Sequence, residues 1–247
     1  MAPSLHATEL GRVGYVDAWR LQEAIAARIR AGGPDRLLLL EHDPVYTIGR
    51  RGSIDHLTAS PDELRAAGAS AYRVDRGGDI TYHGPGQVVG YPIVSLGEHP
   101  DVVRYVRTLE SALIAVLADH GIGGRTVEGK TGVWVSLRDG RDGKIAAIGV
   151  RVTRGIAMHG FALNVTTDLA AFSRMIPCGF VHEVASFERL GVRVGMEAVV
   201  RGVAERLAGE LGRELVWDAT VAAPRDDEIP AGAPVREAED LLIPTAA

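Results

Sequence analysis

Hydrophobic residues recur at intervals of three and four in several segments, which is the spacing of an amphipathic helix. The first such segment stops at residues 32–34, Gly-Gly-Pro, a sequence that terminates helices. A serine, a proline and a glutamate at positions 60, 61 and 63 mark the start of a further short helix. The apolar positions of the three longer predicted helices are Ala18, Leu21, Ile25 and Ile29; Val102, Tyr105, Val106, Leu109, Leu113 and Val116; and Met196, Val200, Val203, Leu207 and Leu211.

Short apolar runs between these segments predict about seven β-strands. Asp-Gly pairs within 138–143 predict a hairpin between two of them, and Pro92 predicts that its strand lies at a sheet edge. Strands separated by unevenly spaced helices favour an α+β fold with a mixed or antiparallel sheet flanked by helices. The predicted strands cover residues 37–40, 71–74, 88–94, 131–137, 144–152, 158–165 and 214–217.

The composition changes after residue 217, which divides the chain into a predicted domain (1–217) and a tail (218–247). The tail holds seven acidic residues against two arginines, together with four prolines, so we expect it to be mobile. The tail alone thus carries a charge of −5, which equals the net charge of the whole chain, so the domain itself is neutral. A neutral domain gives no reason to expect nucleic-acid binding. Without a long apolar run or a secretory signal, the sequence predicts a cytoplasmic protein that does not enter a membrane.

The chain contains one cysteine, Cys178, which rules out an intramolecular disulfide and a cysteine-rich zinc site. The eight histidines lack the spacing of metal ligands, so no metal site is expected. Cys178 is either a small buried side chain or a nucleophile held out between Pro177 and Gly179. A free thiol has a pKa of about 8.5 and needs a nearby cation to react near neutral pH. Lys144, at the start of a predicted strand, is the candidate cation, although a solvated surface lysine is the alternative.

Two glycine-rich segments invite a functional interpretation. Residues 76–87 place a cation, a hydroxyl, a phenol and an imidazole between two flexible hinges, which is more chemistry than a surface hairpin needs. Residues 124–131 match the phosphate-binding loop pattern G-x-x-x-x-G-K-[ST]. That loop requires a strand before it and a helix after it, whereas here a helix precedes and a β-like run follows. We therefore interpret 124–131 as a turn.

Four blocks, in order, resemble the lipoyl(octanoyl) transferases, and the similarity covers about residues 10 to 215. It implies the fold of the biotin and lipoate protein ligases and a reaction without nucleotide, metal or other cofactor. The tail lies outside the pattern. The blocks are Arg76-Gly-Gly-Asp-Ile-Thr-Tyr-His-Gly-Pro-Gly-Gln-Val-Val-Gly-Tyr91, Lys144-Ile-Ala-Ala-Ile-Gly-Val-Arg151, His159-Gly-Phe-Ala-Leu-Asn164 and Pro177-Cys-Gly179.

The resemblance implies that octanoyl passes from octanoyl-acyl carrier protein to a Cys178 thioester. It then passes to a lysine on the lipoyl domains of 2-oxoacid dehydrogenase complexes or on the glycine cleavage H protein. Cys178 matches the nucleophile of the family and Lys144 the residue that lowers its pKa. We expect His83 and backbone amides to stabilise the oxyanion. The matched substrate-binding positions are Arg76, Gly77, Gly78, Asp79, Ile80, Thr81, Tyr82, His83, Ala147, Ile148, Gly149, Gly160, Phe161 and Ala162.

Further expectations concern the acyl chain and the protein partners. Tyr91, Ile148 and Phe161 are expected to line an apolar slot, or else to belong to the ordinary core. Acidic partners would dock on the candidate arginines Arg50, Arg51, Arg73 and Arg151. Three alternatives remain: an ATP-dependent lipoate or biotin ligase, a nucleotide hydrolase that uses Lys130, and a binding module without catalysis.

Overall fold

The computed structural model describes residues 3–176, 183–225 and 228. Its helices are α1 (Tyr15–Arg30), α2 (Pro61–Ala66), α3 (Val102–Asp119) and α4 (Met196–Glu210). Its strands are β1 (Ser4–Val13), β2 (Asp35–His42), β3 (Val45–Ile48), β4 (Ser70–Arg73), β5 (Ile80–His83), β6 (Gln87–Ser95), β7 (Gly124–Val127), β8 (Lys130–Ser136), β9 (Asp142–Thr153), β10 (Ile156–Asn164), β11 (Glu183–Val184) and β12 (Glu214–Trp217). Short 3₁₀ turns cover Ile54–His56 and Leu169–Arg174.

Within the described residues, nine strands form one mixed sheet, in the order β12-β1-β2-β6-β10-β9-β8-β7 with β11 beside β9. Strand β1 runs parallel to both of its neighbours, β12 and β2. Along the rest of this order, from β2 through β6, β10, β9 and β8 to β7, neighbouring strands pair antiparallel. A second sheet has the order β4-β3-β5. Helix α1 packs on one face of the large sheet, and α3 and α4 pack on the other. The predicted α+β class with a mixed sheet flanked by helices is confirmed.

The predicted helices begin and end for the reasons that the sequence indicates. Ser60 and Glu63 form a reciprocal capping box at the start of α2, with Pro61 at its first position. The Asp101 side chain accepts a hydrogen bond from the Arg104 amide and caps α3. Helix α1 ends just before Gly32, which has a φ of 93°.

The strand count is where the sequence prediction falls short, because the structure describes twelve strands rather than about seven. The predicted edge position of Pro92 is also wrong, since β6 lies in the middle of the large sheet. Pro92 pairs with Leu37 of β2. On the other side the ladder to β10 is interrupted between Ala157 and Phe161, where His159 has a φ of +58°. A proline is tolerated there because the interrupted ladder needs no donor.

Residues 124–131 form a hairpin of β7 and β8 that turns at 128–129, and no helix follows them. This agrees with the interpretation that the segment is not a phosphate-binding loop. Among the described residues, no helix is both long enough and apolar enough to cross a membrane.

The first residues of the predicted tail lie against the domain. Asp218 pairs with Arg36 of β2, and Glu228 pairs with Arg28 of α1 at 2.7 Å. The Arg28 guanidinium also donates hydrogen bonds to the carbonyls of Ala222 and Ala223. The remaining tail residues lie outside the described part, so their predicted mobility stays a prediction.

Candidate active site

Lys144 lies on β9 next to a β-bulge. Because of the bulge, its side chain points away from the core on the α3 face. Val133 and Val135 of β8 belong to that core, whereas Trp134 between them does not, so Trp134 points to the opposite face. The register between β8 and β9 shifts at this point, and Trp134 pairs with Lys144. The Lys144 ammonium lies 4.7 Å from the centre of the Trp134 ring, within the range of a cation–π contact. The bulge thus directs Lys144 to the face that α1 covers.

Small residues cover the sheet next to Lys144 on the same face. Ala147 of β9 lies opposite Ala162 of β10, and Gly149 lies opposite Gly160. Directly opposed residues share one face of a sheet, so these four positions form a strip without bulky side chains. Such a strip leaves room for another segment or a ligand to approach the backbone.

The loop of residues 76–78 occupies one end of this strip. The Gly77 amide donates a 2.9 Å hydrogen bond to the Val150 carbonyl. A Cβ atom at Gly149 would lie 2.8 Å from the Gly77 carbonyl oxygen, closer than real Cβ contacts come. Glycine is therefore required at 149 by the loop that packs on it.

Arg76 is buried and holds the loop to the small sheet. Its Nη2 atom donates to the carbonyl and the hydroxyl of Thr47, at 2.6 and 2.8 Å. Its Nε atom donates to the same hydroxyl at 3.2 Å. The guanidinium is thus a structural cation of the loop and lies beside the predicted site.

Strand β5 divides the predicted binding residues between two faces. Ile80 and Tyr82 pack with Tyr46 in the core on the outer face of the small sheet. Thr81 and His83 alternate with them and point to the inner face, toward the large sheet. Burial raises the pKa of Tyr82 to about 12. The side chains of Ile80 and Tyr82 therefore build the sheet, and His83 and Thr81 face the candidate site.

Asp79 also has a structural function in the loop before β5. Its Oδ1 atom accepts a 2.7 Å hydrogen bond from the amide of Ile80. Its Oδ2 atom lies 2.7 Å from Nδ1 of His56, in the 3₁₀ turn of residues 54–56. Gly78 has a φ of 90°, a conformation that favours glycine.

His83 is buried in a cluster of aromatic rings. It stacks on Tyr15 at 6.2 Å between ring centres and lies edge-on to His42. Its Nδ1 atom is 2.8 Å from the amide oxygen of Gln87, and its Nε2 atom is 3.5 Å from the Thr47 hydroxyl. Burial, reinforced by the neighbouring His42 ring and the Arg76 charge, holds the pKa of His83 well below 6.5. His83 is therefore neutral at neutral pH.

His42 is a second buried histidine that the sequence analysis did not single out. Its Nδ1 donates to the Val13 carbonyl at 2.7 Å, and its Nε2 accepts from the Tyr91 hydroxyl at 2.7 Å. Burial lowers the pKa of His42 to about 4 and raises that of Tyr91 well above 10. Both groups are neutral, and both ring nitrogens of His42 and the hydroxyl of Tyr91 have hydrogen-bond partners.

The prediction that Tyr91, Ile148 and Phe161 line one slot is wrong. Phe161 packs over Gly90 in the core on the α3 face, and Ile148 lies opposite it on the same face. Tyr91 follows Gly90 and points to the α1 face. Only the backbones of Ile148 and Phe161 reach the strip that Ala147 and Ala162 define.

The candidate docking arginines fall into two groups. Arg50, Arg51 and Arg73 are exposed, and the amides of Arg50 and Arg51 donate to the carbonyls of Arg76 and Gly78. Arg151 is partly buried and forms ion pairs with Glu23 and Asp75, so it is unsuited to docking.

Asp75 also contacts His159 at 2.8 Å, which links the loop before Arg76 to the residue before Gly160. Although burial acts in the opposite direction, the hydrogen bond from His159 and the Arg151 charge keep the pKa of Asp75 below its usual value. Burial lowers the pKa of His159. This cluster joins two of the four sequence blocks, a contact that separation along the chain conceals.

Cys178, with Pro177 and Gly179, lies outside the described residues. The described residues on either side of 177–182 have defined partners. The amide of Ile176 donates to the carbonyl of His56 at 2.8 Å. Strand β11 then pairs with β9, with Val184 opposite Lys144 and Glu183 opposite Gly143. Elsewhere in the described chain, no group of three or more His, Cys, Asp or Glu side chains is arranged to hold a metal ion.

Comparison with known proteins gives consistent matches. The lipoyl protein ligase A/B catalytic domain family model matches residues 14–208. An octanoyltransferase of Solibacter usitatus is 45% identical over 217 residues, which are 87% of this chain and 96% of that protein. An octanoyltransferase of Mycobacterium marinum is 50% identical over 209 residues, covering 82% and 86% of the two chains.

Solved structures with the same fold include a bipartite lipoate protein ligase of Thermoplasma acidophilum, with a TM-score of 0.70 and 20% identity. The match covers 91% of this chain and 89% of that one. A lipoate-protein ligase A bound with ATP has a TM-score of 0.69, 20% identity and 91% coverage of both chains. At this identity the likeness concerns the fold, and it confirms the expected ligase-like architecture.

Proposed function

Because the chain belongs to the lipoyl protein ligase A/B catalytic domain family, we propose that it is an octanoyltransferase that carries the acyl group as a thioester on Cys178. Octanoyl-acyl carrier protein is the donor, and the ε-amine of a lysine on a lipoyl domain is the acceptor. Two relatives that share 45% and 50% of their aligned residues with this chain carry the name octanoyltransferase, which supports this assignment over an ATP-dependent ligase.

The observation that carries the proposal is the pairing of β11 with β9. Val184 lies opposite Lys144, and Cys178 precedes Glu183 by five residues. An extended chain spans at most about 3.6 Å per residue, so five residues reach at most about 18 Å from Glu183. On the other side, Cys178 follows Ile176 by two residues, and two residues reach at most about 7 Å from Ile176. Val184, six residues after Cys178, lies opposite Lys144, and this closeness along the chain supports the proposed pair.

In the first half-reaction, the Cys178 thiolate attacks the thioester carbonyl of the donor. A new carbon–sulfur bond forms, the bond to the carrier thiol breaks, and the carrier leaves as a thiolate that takes up the proton of the Lys144 ammonium. The Lys144 ammonium stabilises the Cys178 thiolate, because an adjacent cation lowers a thiol pKa. One thioester replaces another, so the step needs no ATP.

In the second half-reaction, the acceptor amine attacks the octanoyl carbonyl on Cys178. A lysine amine has an ordinary pKa of about 10.4 and must lose a proton to react. Lys144 accepts that proton when it is neutral, and Cys178 leaves as a thiolate. The product amide is more stable than the thioester, which drives the transfer forward.

The strip of small residues provides a place for the acyl chain. Ala147, Gly149, Gly160 and Ala162 line the sheet on the Lys144 side, between β9, β10 and the loop of residues 76–78. An acyl chain that lies along the strip would contact backbone and methyl groups.

The test is transfer of octanoyl to a purified lipoyl domain with octanoyl-acyl carrier protein and no ATP. We expect transfer by the wild type and a loss of at least a thousandfold in Cys178→Ser and Lys144→Ala. Lys130→Ala is the matched control, because Lys130 also lies over the Trp134 ring, at 5.4 Å. Transfer that requires ATP and free octanoate, and that survives Cys178→Ser, would show that the protein is a ligase.

A further inference from the structure

Two buried amide side chains connect His83 of the small sheet with Ala185, the residue that follows β11. Gln87 and Asn164 are only 2% and 4% exposed, and they lie directly opposite each other in β6 and β10. Gln87 Nε2 donates to Asn164 Oδ1 at 2.9 Å. Asn164 Nδ2 donates to the Ala185 carbonyl at 3.0 Å. On the other side, Gln87 Oε1 is 2.8 Å from Nδ1 of His83.

The direction of this row is set by the Ala185 carbonyl, which can only accept. The NH₂ group of Asn164 must therefore face Ala185, and its oxygen must face Gln87. Gln87 then presents its own oxygen to His83, so the proton of the neutral imidazole is on Nδ1. His83 Nε2 is left as an acceptor that faces the Thr47 hydroxyl, and in this state it has no proton to donate to an oxyanion.

Ala185 is the first residue after β11, and its amide donates to the Lys144 carbonyl at 2.9 Å. The residue is thus held by Lys144 through its amide and by Asn164 through its carbonyl. The Asn164 carbonyl also accepts from the amide of Phe187 at 3.2 Å. Asn164 therefore contacts the returning chain twice within three residues.

We propose that Asn164 is a positioning residue, which fixes the chain from Glu183 to Phe187 beside Lys144. This rests on the proposed function, in which Cys178 and Lys144 react together. Removal of the Asn164 amide leaves the buried Ala185 carbonyl without its side-chain donor, whereas Gln87 keeps its contacts with the Tyr82 carbonyl and with His83. The return of the chain then loses its register with Lys144, and the thiolate of Cys178 is less stabilised.

The first measurement is the pH dependence of iodoacetamide labelling, which reports on Cys178 alone because the chain has a single cysteine. In the wild type we expect a midpoint at least one pH unit below the ordinary thiol value of about 8.5, and in Lys144→Ala a midpoint near that value. In Asn164→Ala the midpoint moves toward that of Lys144→Ala by at least half a pH unit. Thioester formation slows by about tenfold.

Asp35→Asn is the matched control, because Asp35 is also buried and bonded to a backbone amide, that of Ser95, at 2.7 Å. It lies at the opposite end of β2 from His42. We expect it to lower the melting temperature without moving the labelling midpoint. An Asn164→Ala profile that overlays the wild type, at a comparably lowered melting temperature, overturns the proposal.

Hydrogen exchange at the Ala185 amide separates this inference from the proposed function. If the wild type and Lys144→Ala have the same labelling midpoint, Lys144 does not activate Cys178. Hydrogen exchange at the Ala185 amide then decides the role of Asn164 by itself. At least tenfold faster exchange at Ala185 in Asn164→Ala than in Asp35→Asn supports it, and equal exchange contradicts it. If Asn164→Ala does not fold, Asn164→Ser, which keeps a polar group but lacks the amide, is measured with the same criteria.

Discussion

At Gly149 a single methyl group would collide with the Gly77 carbonyl and with the Arg76 side chain. Gly149→Ala should therefore push the loop of residues 76–78 away from β9 and slow thioester formation by about tenfold, equivalent to about 1.4 kcal/mol. The measurement is single-turnover acylation by octanoyl-acyl carrier protein. Gly202→Ala in α4 is the control, because its Cβ meets nothing within 4 Å. It should stabilise the protein by about 0.5 to 1 kcal/mol and leave acylation unchanged; an unaffected Gly149→Ala enzyme would contradict the close packing.

The buried histidines predict how stability depends on pH. Burial lowers the pKa of His42 to about 4, so below its unfolded value of about 6.5 the unfolded chain binds a proton that the folded state excludes. Stability is fully present above pH 6.5 and is lost as the pH falls toward 4. His42 alone should remove on the order of 2 kcal/mol of unfolding free energy between pH 8 and pH 5. Urea titrations of the wild type and His42→Gln measure this, and an equal decline in both would contradict it.

The sequence predicts site residues where chemistry concentrates locally, and it misses those that distant segments bring together. The run from Arg76 to His83 is recognisable because cation, hydroxyl and imidazole lie within eight positions. His42 and Thr47 carry no such signal, because their partners Tyr91 and Arg76 are about 50 and 30 residues away along the chain. The identity of residue 161 as phenylalanine also does not indicate which face of the sheet it occupies. In the structure Phe161 packs on Gly90 in the core and points away from the strip of small residues.

At the level of single elements, the bulge between β8 and β9 places the Lys144 ammonium over the ring of Trp134. Replacing Trp134 with leucine removes the aromatic face that the ammonium contacts, an interaction worth about 0.5 to 2 kcal/mol. We expect the kcat of octanoyl transfer to fall by about 2- to 30-fold in Trp134→Leu and by less in Trp134→Phe. Equal rates in the two variants, at equal melting temperatures, would show that the ring only fills space.

Elements with strong periodicity or clear caps are predicted well from the sequence. Helices α1, α3 and α4 and the hairpin of β8 and β9 lie where the pattern indicates. Strand β1 was missed because its polar and charged residues interrupt the alternation, and its place is fixed by parallel pairing with β2 and with the distant β12. The edge position predicted from Pro92 is wrong because the interruption that accommodates this proline lies in β10, which the local sequence of β6 cannot reveal.

At the scale of the whole molecule, Arg50, Arg51 and Arg73 form an exposed basic edge next to the loop of residues 76–78. Acidic protein substrates should bind this edge, so Arg50→Glu with Arg51→Glu should raise the KM for octanoyl-acyl carrier protein about tenfold at low ionic strength. The difference should shrink at about 0.5 M salt because exposed charges are screened. Arg104→Glu, an exposed substitution in α3, is the control. A KM that is unchanged by the double substitution would place docking elsewhere.

In the proposed mechanism, Cys178 carries the octanoyl group and Lys144 is its partner. The most direct measurement is the intact mass of the protein after mixing with octanoyl-acyl carrier protein in the absence of ATP. We predict the gain of one octanoyl group that hydroxylamine removes and that a lipoyl domain discharges, with no gain in Cys178→Ser and a greatly slowed gain in Lys144→Ala. An unmodified wild-type protein that nevertheless transfers octanoyl to the lipoyl domain, or an adduct that persists in Cys178→Ser, would contradict the account.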